Sequence, residues 1–186
     1  MNMLKAVKEI SGLYIFEPKV FSDNRGYFFE AYNNNLFQEK GINFNVVQQN
    51  QSKSKRGTIR GLHYQGGEHP QAKFVRVLSG TILDVAVDLR VKSPTYGKYY
   101  SIVLSDENKK GLYIPAGFAH GFSALSENVE IFYCCDEFYD AKSEGGIIYN
   151  DKDINIDWKV ELNDAELSDK DRNLKSFKEY KNNPEF

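Results

Sequence analysis

At 186 residues, with 41% hydrophobic and 27% charged side chains, the chain has the size and mix of one ordinary globular domain. Its formal net charge of -2 excludes the bulk basic field that draws proteins to nucleic acid or to acidic membrane surfaces. The 14% of aromatic residues suits strands and sugar- or base-binding surfaces.

The opening stretch, Met1 to Phe16, carries Lys5, Lys8 and Glu9 and lacks the apolar region and small-residue cleavage site of a secretion signal. No run is long and apolar enough to span a bilayer. Asp23-Asn24-Arg25-Gly26 reads as the first turn, followed by Tyr27-Phe28-Phe29-Glu30. Asn33 to Lys40 reads as a short helix, capped by Asn33 and stopped at Gly41. A series of strands follows: 45–49, 58–65, 73–78, 82–89, 99–104, 111–114, 121–124 and 130–135, with a tight turn at Ser79-Gly80. Many short strands at regular spacing predict an antiparallel sandwich or small barrel, of which the jelly roll is one version. The tail, Leu167 to Tyr180, reads as a helix with Ser168 at its cap and Asp171 at the capping-box position. The two cysteines, Cys134 and Cys135, are neighbours. Their Cα atoms must lie about 3.8 Å apart, shorter than the usual ~4.4–6.8 Å of a disulfide, so free thiols and a cytoplasmic location are expected.

Several polar residues stand out against these patterns. Alternation places Lys73 on the same face as Val75 and Val77, so its ammonium either points inward to meet an anionic ligand or reaches water at the strand's mouth. His63 suits general-base work near neutral pH or a carbonyl-bonded place in a half-buried strand. His120, in an apolar loop punctuated by Pro115 and Gly117, is either a cavity-wall or a packed loop histidine. Tyr133 and Tyr139 read as proton donors or as packing. Asp171 and Lys170 read as cap and solvated helix residues, and Asp84 and Asp88 as a solvated strand face without function. His63-Tyr64-Gln65 lacks the second histidine of a metal-binding His-x-His strand, and the adjacent cysteines lack Cys-x-x-Cys spacing, so no catalytic metal is expected. There is also no Gly-x-Gly-x-x-Gly or Walker loop, hence no sign of a nucleotide cofactor.

Taken in order, eight segments resemble one family, dTDP-4-dehydrorhamnose 3,5-epimerase. They are 23–30, 48–52, Arg60-Gly61-Leu62-His63-Tyr64-Gln65, 71–77, 84–90, 93–97, 115–122 and 167–171. The resemblance runs from about Gly12 to Asp171. It implies a cupin-type jelly-roll barrel, mainly β with a few short helices including one near the C-terminus. It also implies a metal-free, cofactor-free homodimer acting on a dTDP-linked 4-keto-6-deoxyhexose. His63 would be the general base, Asp171 its partner and Tyr133 the general acid. Lys73, with Arg60 and His120, would face the sugar and the developing enolate. Arg25, Glu30, Gln48, Asn50, Glu144 and Lys170 would contact the nucleotide-sugar, and Tyr139 would stack on the base.

The sequence departs from the family's usual pattern at Gln49, where Asp is common, and at Cys134, where Lys is common. It also lacks a Pro after Asp151, and Lys159 rather than Pro follows Trp158. None of these removes the acid, the base or the cation, but they bear on substrate detail. The rival readings are a 3-epimerase or 3,4-ketoisomerase on a related sugar, a binding cupin without catalysis, and a metal-dependent cupin oxygenase.

Overall fold

Alternating apolar and polar residues can be satisfied by a two-layered sheet structure, and this is what the chain adopts. The structure is a computed structural model and describes residues 3–186. Its strands are β1 (Leu4–Ala6), β2 (Tyr14–Phe16), β3 (Phe21–Asp23), β4 (Gly26–Phe28), β5 (Gln48–Lys55), β6 (Ile59–Gln65), β7 (Lys73–Ser79), β8 (Thr81–Asp88), β9 (Tyr99–Ser105), β10 (Gly111–Ile114), β11 (Phe118–Ala124), β12 (Asn128–Cys135) and β13 (Glu144–Gly146). One sheet has the order β1-β2-β10-β7-β12-β5 and the other β13-β6-β11-β8-β9, with every pairing antiparallel. β3 and β4 form a separate hairpin. The antiparallel β architecture is the one expected.

The interior between the sheets is apolar at one end, where Val75 and Val77 of β7 meet Ile82 and Ala86 of β8 and Phe118 and Phe122 of β11. Each sheet is also covered on its outer face. On the first, Phe37 from the short helix α1 (Asn34–Gln38) joins Phe16, Phe44, Phe74 and Tyr113. Asn33 caps α1 by accepting from the Asn35 amide, as the sequence suggested. On the second sheet, Trp158, Phe177 and Tyr180 from the C-terminal segment lie over Leu83, Val85 and Val87.

That covering corrects the reading of β8. Asp84 and Asp88 are not a solvated face; both are completely buried. A strand covered on both sides has no wet face, whatever its alternation. Asp88 is satisfied by bonds from the Arg90 guanidinium and from the Ser93 and Thr95 hydroxyls. Burial alone would raise its carboxyl, but these bonds hold it below the ordinary value.

The tail is likewise not one helix. It is α2 (Asp169–Arg172), a break in which Lys175 bridges to Ile147 alongside β13, and α3 (Phe177–Asn182). Two serines cap two helices: Ser168 accepts from the Asp171 amide, and Ser176 forms a reciprocal capping box with Glu179. The backbone between them docks on the sheet, which a continuous helix could not do.

Candidate active site

At the other end of the interior the polar residues converge. His63, Arg60 and His120 come from β6 and β11 of one sheet, and Lys73 and Tyr133 from β7 and β12 of the other. β6 and β11 approach closely because Gly61, at a φ of +123°, lies against Gly121; a Cβ on Gly61 would sit 2.6 Å from the Gly121 Cα. This contact sets His63 opposite His120 in the register of the two strands. Together with Asp171 these six residues line a cavity of about 430 Å³, within the size range of small-molecule sites. A second cavity shares His63, Lys73 and Tyr133 and continues past Gln48, Asn50, Tyr139 and Glu144. The two are halves of one cleft between the sheets.

The Nε2 of His63 lies 2.5 Å from Oδ1 of Asp171. Burial pushes the Asp171 carboxyl up, but the His63 bond, the Ser168 hydroxyl and the Gly61 amide outweigh it and hold it below the usual carboxylate range. Asp171 is therefore an acceptor only, so His63 Nε2 carries the proton and Nδ1 is left with a free lone pair. Asp171 takes part in the cap only through its backbone, and its side chain is not the reciprocal half of a capping box. Its backbone amide donates to Ser168, while its side chain turns to the histidine.

A second histidine–carboxylate pair lies alongside. His120 Nε2 is 2.8 Å from Oδ1 of Asp84, whose other oxygen is buried without a partner among the described residues. Burial pushes the Tyr133 phenol up, with Cys135 adding to the shift and Arg60 opposing it, so the hydroxyl keeps its proton. Burial lowers the Lys73 ammonium, against the pull of Cys135, Asp136 and Glu144. Lys73 lines both halves of the cleft and retains some exposure. Cys134 and Cys135 are free and buried, and burial raises the Cys135 thiol to about 11.

At the rim, Lys170 pairs with Glu144 at 2.5 Å, and the Tyr139 hydroxyl donates to the same carboxylate at 2.7 Å. Gln48 accepts from the Tyr139 amide at 2.9 Å, and its own amide donates to Asn50 at 3.1 Å. Two of the expected residues are elsewhere. Arg25 lies on the β3–β4 hairpin, bonded to Asp23, and Glu30 is exposed just beyond it; neither lines the cleft. Sequence reasoning missed Asp84, Gln65 and Gln71. The signal for Gln65 was available, since period-2 alternation puts it on the His63 face of β6. Among the described residues no three His, Cys, Asp or Glu side chains group in a way that could hold a metal.

The arrangement offers a base with a free lone pair on one sheet, a protonated phenol on the other, and a cation beside both. The family model described as dTDP-4-dehydrorhamnose 3,5-epimerase matches residues 7–179. The dTDP-4-dehydrorhamnose 3,5-epimerase of Methanothermobacter thermautotrophicus is 50% identical over 171 residues, covering 91% of this chain and 92% of that protein. The crystal structure of the same enzyme from Elizabethkingia anophelis superposes with a TM-score of 0.91 at 51% identity, over 95% of this chain and 98% of the other. That of a Legionella pneumophila dTDP-6-deoxy-D-glucose-3,5-epimerase, in complex with dTDP-4-keto-L-rhamnose, gives a TM-score of 0.88 at 42% identity, over 93% and 91% of the two chains.

Proposed function

Because the chain belongs to the dTDP-4-dehydrorhamnose 3,5-epimerase family, we propose that it inverts C3 and C5 of dTDP-4-dehydro-6-deoxy-D-glucose to give dTDP-4-dehydro-L-rhamnose. The observation that supports this most directly is the placement of the His63–Asp171 pair and Tyr133 on opposite walls of one cleft.

A ketone at C4 acidifies the hydrogens on C3 and C5. His63 Nδ1 takes one of them, and the electron pair moves to the C4 oxygen. Lys73, with Arg60 and His120, stabilises that enolate more than the ketone, which lowers the barrier. Tyr133 then gives its proton to the same carbon from the other side, and the centre inverts. Asp171 stabilises the imidazolium formed on the way. Each event leaves His63 protonated and Tyr133 deprotonated, and exchange with solvent resets both. Gln48, Asn50, Glu144 and Lys170 form the extension of the cleft for the nucleotide, with Tyr139 stacking on the base.

Incubation with the substrate in D₂O tests this reading. Proton NMR is expected to show deuterium entering both C3 and C5, with an L-configured product after reduction of the ketone. Deuterium at C3 alone would replace the double epimerase by a 3-epimerase or ketoisomerase. Exchange at neither carbon would leave a cleft that binds without catalysing.

The working unit in this reading is a homodimer of single-domain chains. The β3–β4 hairpin exposes Phe21, Tyr27 and Phe28, the last by 70%, beside Arg25 and Glu30. So large an apolar ribbon is unusual on a monomer, and the residues it carries are expected at a substrate but lie off their own cleft. A second copy would cover the ribbon and receive Arg25 and Glu30 at its cleft. Analytical ultracentrifugation is expected to give twice the 21.4 kDa of one chain; a monomer at micromolar concentration would remove this part of the reading. A cytoplasmic setting fits the two free cysteines. No helix among the described residues is long and apolar enough to cross a membrane.

A further inference from the structure

Tyr139 belongs to a segment, 136–143, with no regular structure between β12 and β13. Its ring is 56% exposed, so packing does little to fix it. The backbone around it is nevertheless gripped from beneath by one buried side chain. Gln65, 4% exposed, donates from Nε2 to the Phe138 carbonyl at 2.9 Å and to the His69 carbonyl at 2.7 Å. Its Oε1 accepts from the Asp140 amide at 2.9 Å. The residues immediately before and after Tyr139 are thus bonded to the two ends of the same amide. Those three bonds leave the side chain a single orientation, since a flipped amide would face two carbonyls with an oxygen. Gln71, also buried, donates to the Glu137 carbonyl at 2.7 Å, and the Ala72 amide donates to the Asp136 carboxylate.

A segment ordered before its ligand arrives does not lose that freedom on binding, which strengthens affinity without any new contact. We propose that Gln65, supported by Gln71, is a positioning residue that holds Tyr139 ready for the nucleotide base and so sets nucleotide affinity rather than the rate of proton transfer. This rests on the reading that Tyr139 stacks on the base.

The probe is dTDP alone, which carries the base and diphosphate but no reacting carbon. Calorimetric Kd values would be measured for the wild type, Gln65→Leu, Tyr139→Ala and the double variant, with kcat and KM for the full substrate. Gln65→Leu is expected to weaken dTDP and raise KM about tenfold while kcat changes less than about threefold, the pattern of lost uniform binding. Because Gln65 acts through Tyr139, the double variant is expected to bind within about twofold of Tyr139→Ala rather than multiplying the two losses. A wild-type far-UV spectrum and melting temperature guard against a folding defect in Gln65→Leu, and Gln65→Glu is a second test of the same bonds. It keeps the acceptor for the Asp140 amide but sets a carboxylate against two carbonyls, and it should weaken dTDP in the same direction.

Independent, multiplying losses in the cycle would overturn the proposal, as would near-normal dTDP binding by Gln65→Leu. A fall in kcat matching the rise in KM would also overturn it, since Gln65 would then be acting on His63. Should Tyr139→Ala itself bind dTDP normally, the stacking reading falls and the positioning role with it. Weakened binding by Tyr139→Ala beside normal binding by Gln65→Leu overturns only the latter.

Discussion

In a His63→Asn variant, kcat is expected to fall by about 10²–10⁴-fold, the typical share of a positioned general base, while the far-UV spectrum and oligomeric state stay those of the wild type. Asparagine reproduces only the imidazole's inner half and stops short of the Nε2 position, but the Ser168 hydroxyl and the Gly61 amide still donate to Asp171, so the buried carboxylate keeps partners and the fold survives. What asparagine lacks is a lone pair of useful basicity at the Nδ1 position. Solvent exchange at C3 and C5 should be lost together with turnover, because both begin with the same abstraction. A near-normal rate in this variant would sink the assignment of His63 and with it the role given to Asp171.

The second large effect is expected at Lys73. Lys73→Met keeps the unbranched stem and removes the charge that faces the developing C4 oxyanion. Loss of one such donor costs about 10²–10³-fold in kcat, with a smaller change in KM because the ground-state ketone carries little charge. The ionisation of Lys73 adds a pH signature. Burial lowers its pKa, so the cation is lost, as pH rises, earlier than an ordinary lysine would lose it. The wild-type rate should therefore decline on the alkaline side below the usual lysine range. Tyr133 does not confuse the assignment, because burial moves its phenol upward and it keeps its proton longer. In Lys73→Arg, a group that stays charged, the alkaline decline should move to higher pH even where the absolute rate is reduced. An unchanged decline in Lys73→Arg would assign it to another group.

Legibility differed from element to element for physical reasons. Strands β7 to β10 and β12 were readable to within two residues of their ends from their apolar, β-branched runs and bounding turns, whereas β11 was read only from Gly121, so that His120, read as a loop residue, lies inside the strand. The short strands β1, β2 and β13, at three residues each, carry too few positions to show a period. The tail misled because two caps eight residues apart, Ser168 and Ser176, bracket a pattern that one helix would also satisfy. Asp84 and Asp88 misled because the apolar residues between them, Leu83, Val85 and Val87, lie under the C-terminal segment, which leaves the aspartates on the Ile82 and Ala86 face that the other sheet buries.

The sequence by itself determined the antiparallel β class, the capped helix at Asn34–Gln38 and, through its ordered motifs, the family. Those depend on local chemistry or on signatures written contiguously in the chain. Tertiary structure alone decided that Asp84 is buried beside His120, that Arg25 and Glu30 stand off their own cleft, and that Gln65 grips the backbone on both sides of Tyr139. Each of these is a meeting of distant segments, and no local period or propensity encodes which partner a buried polar group will find when the two sheets close over one another.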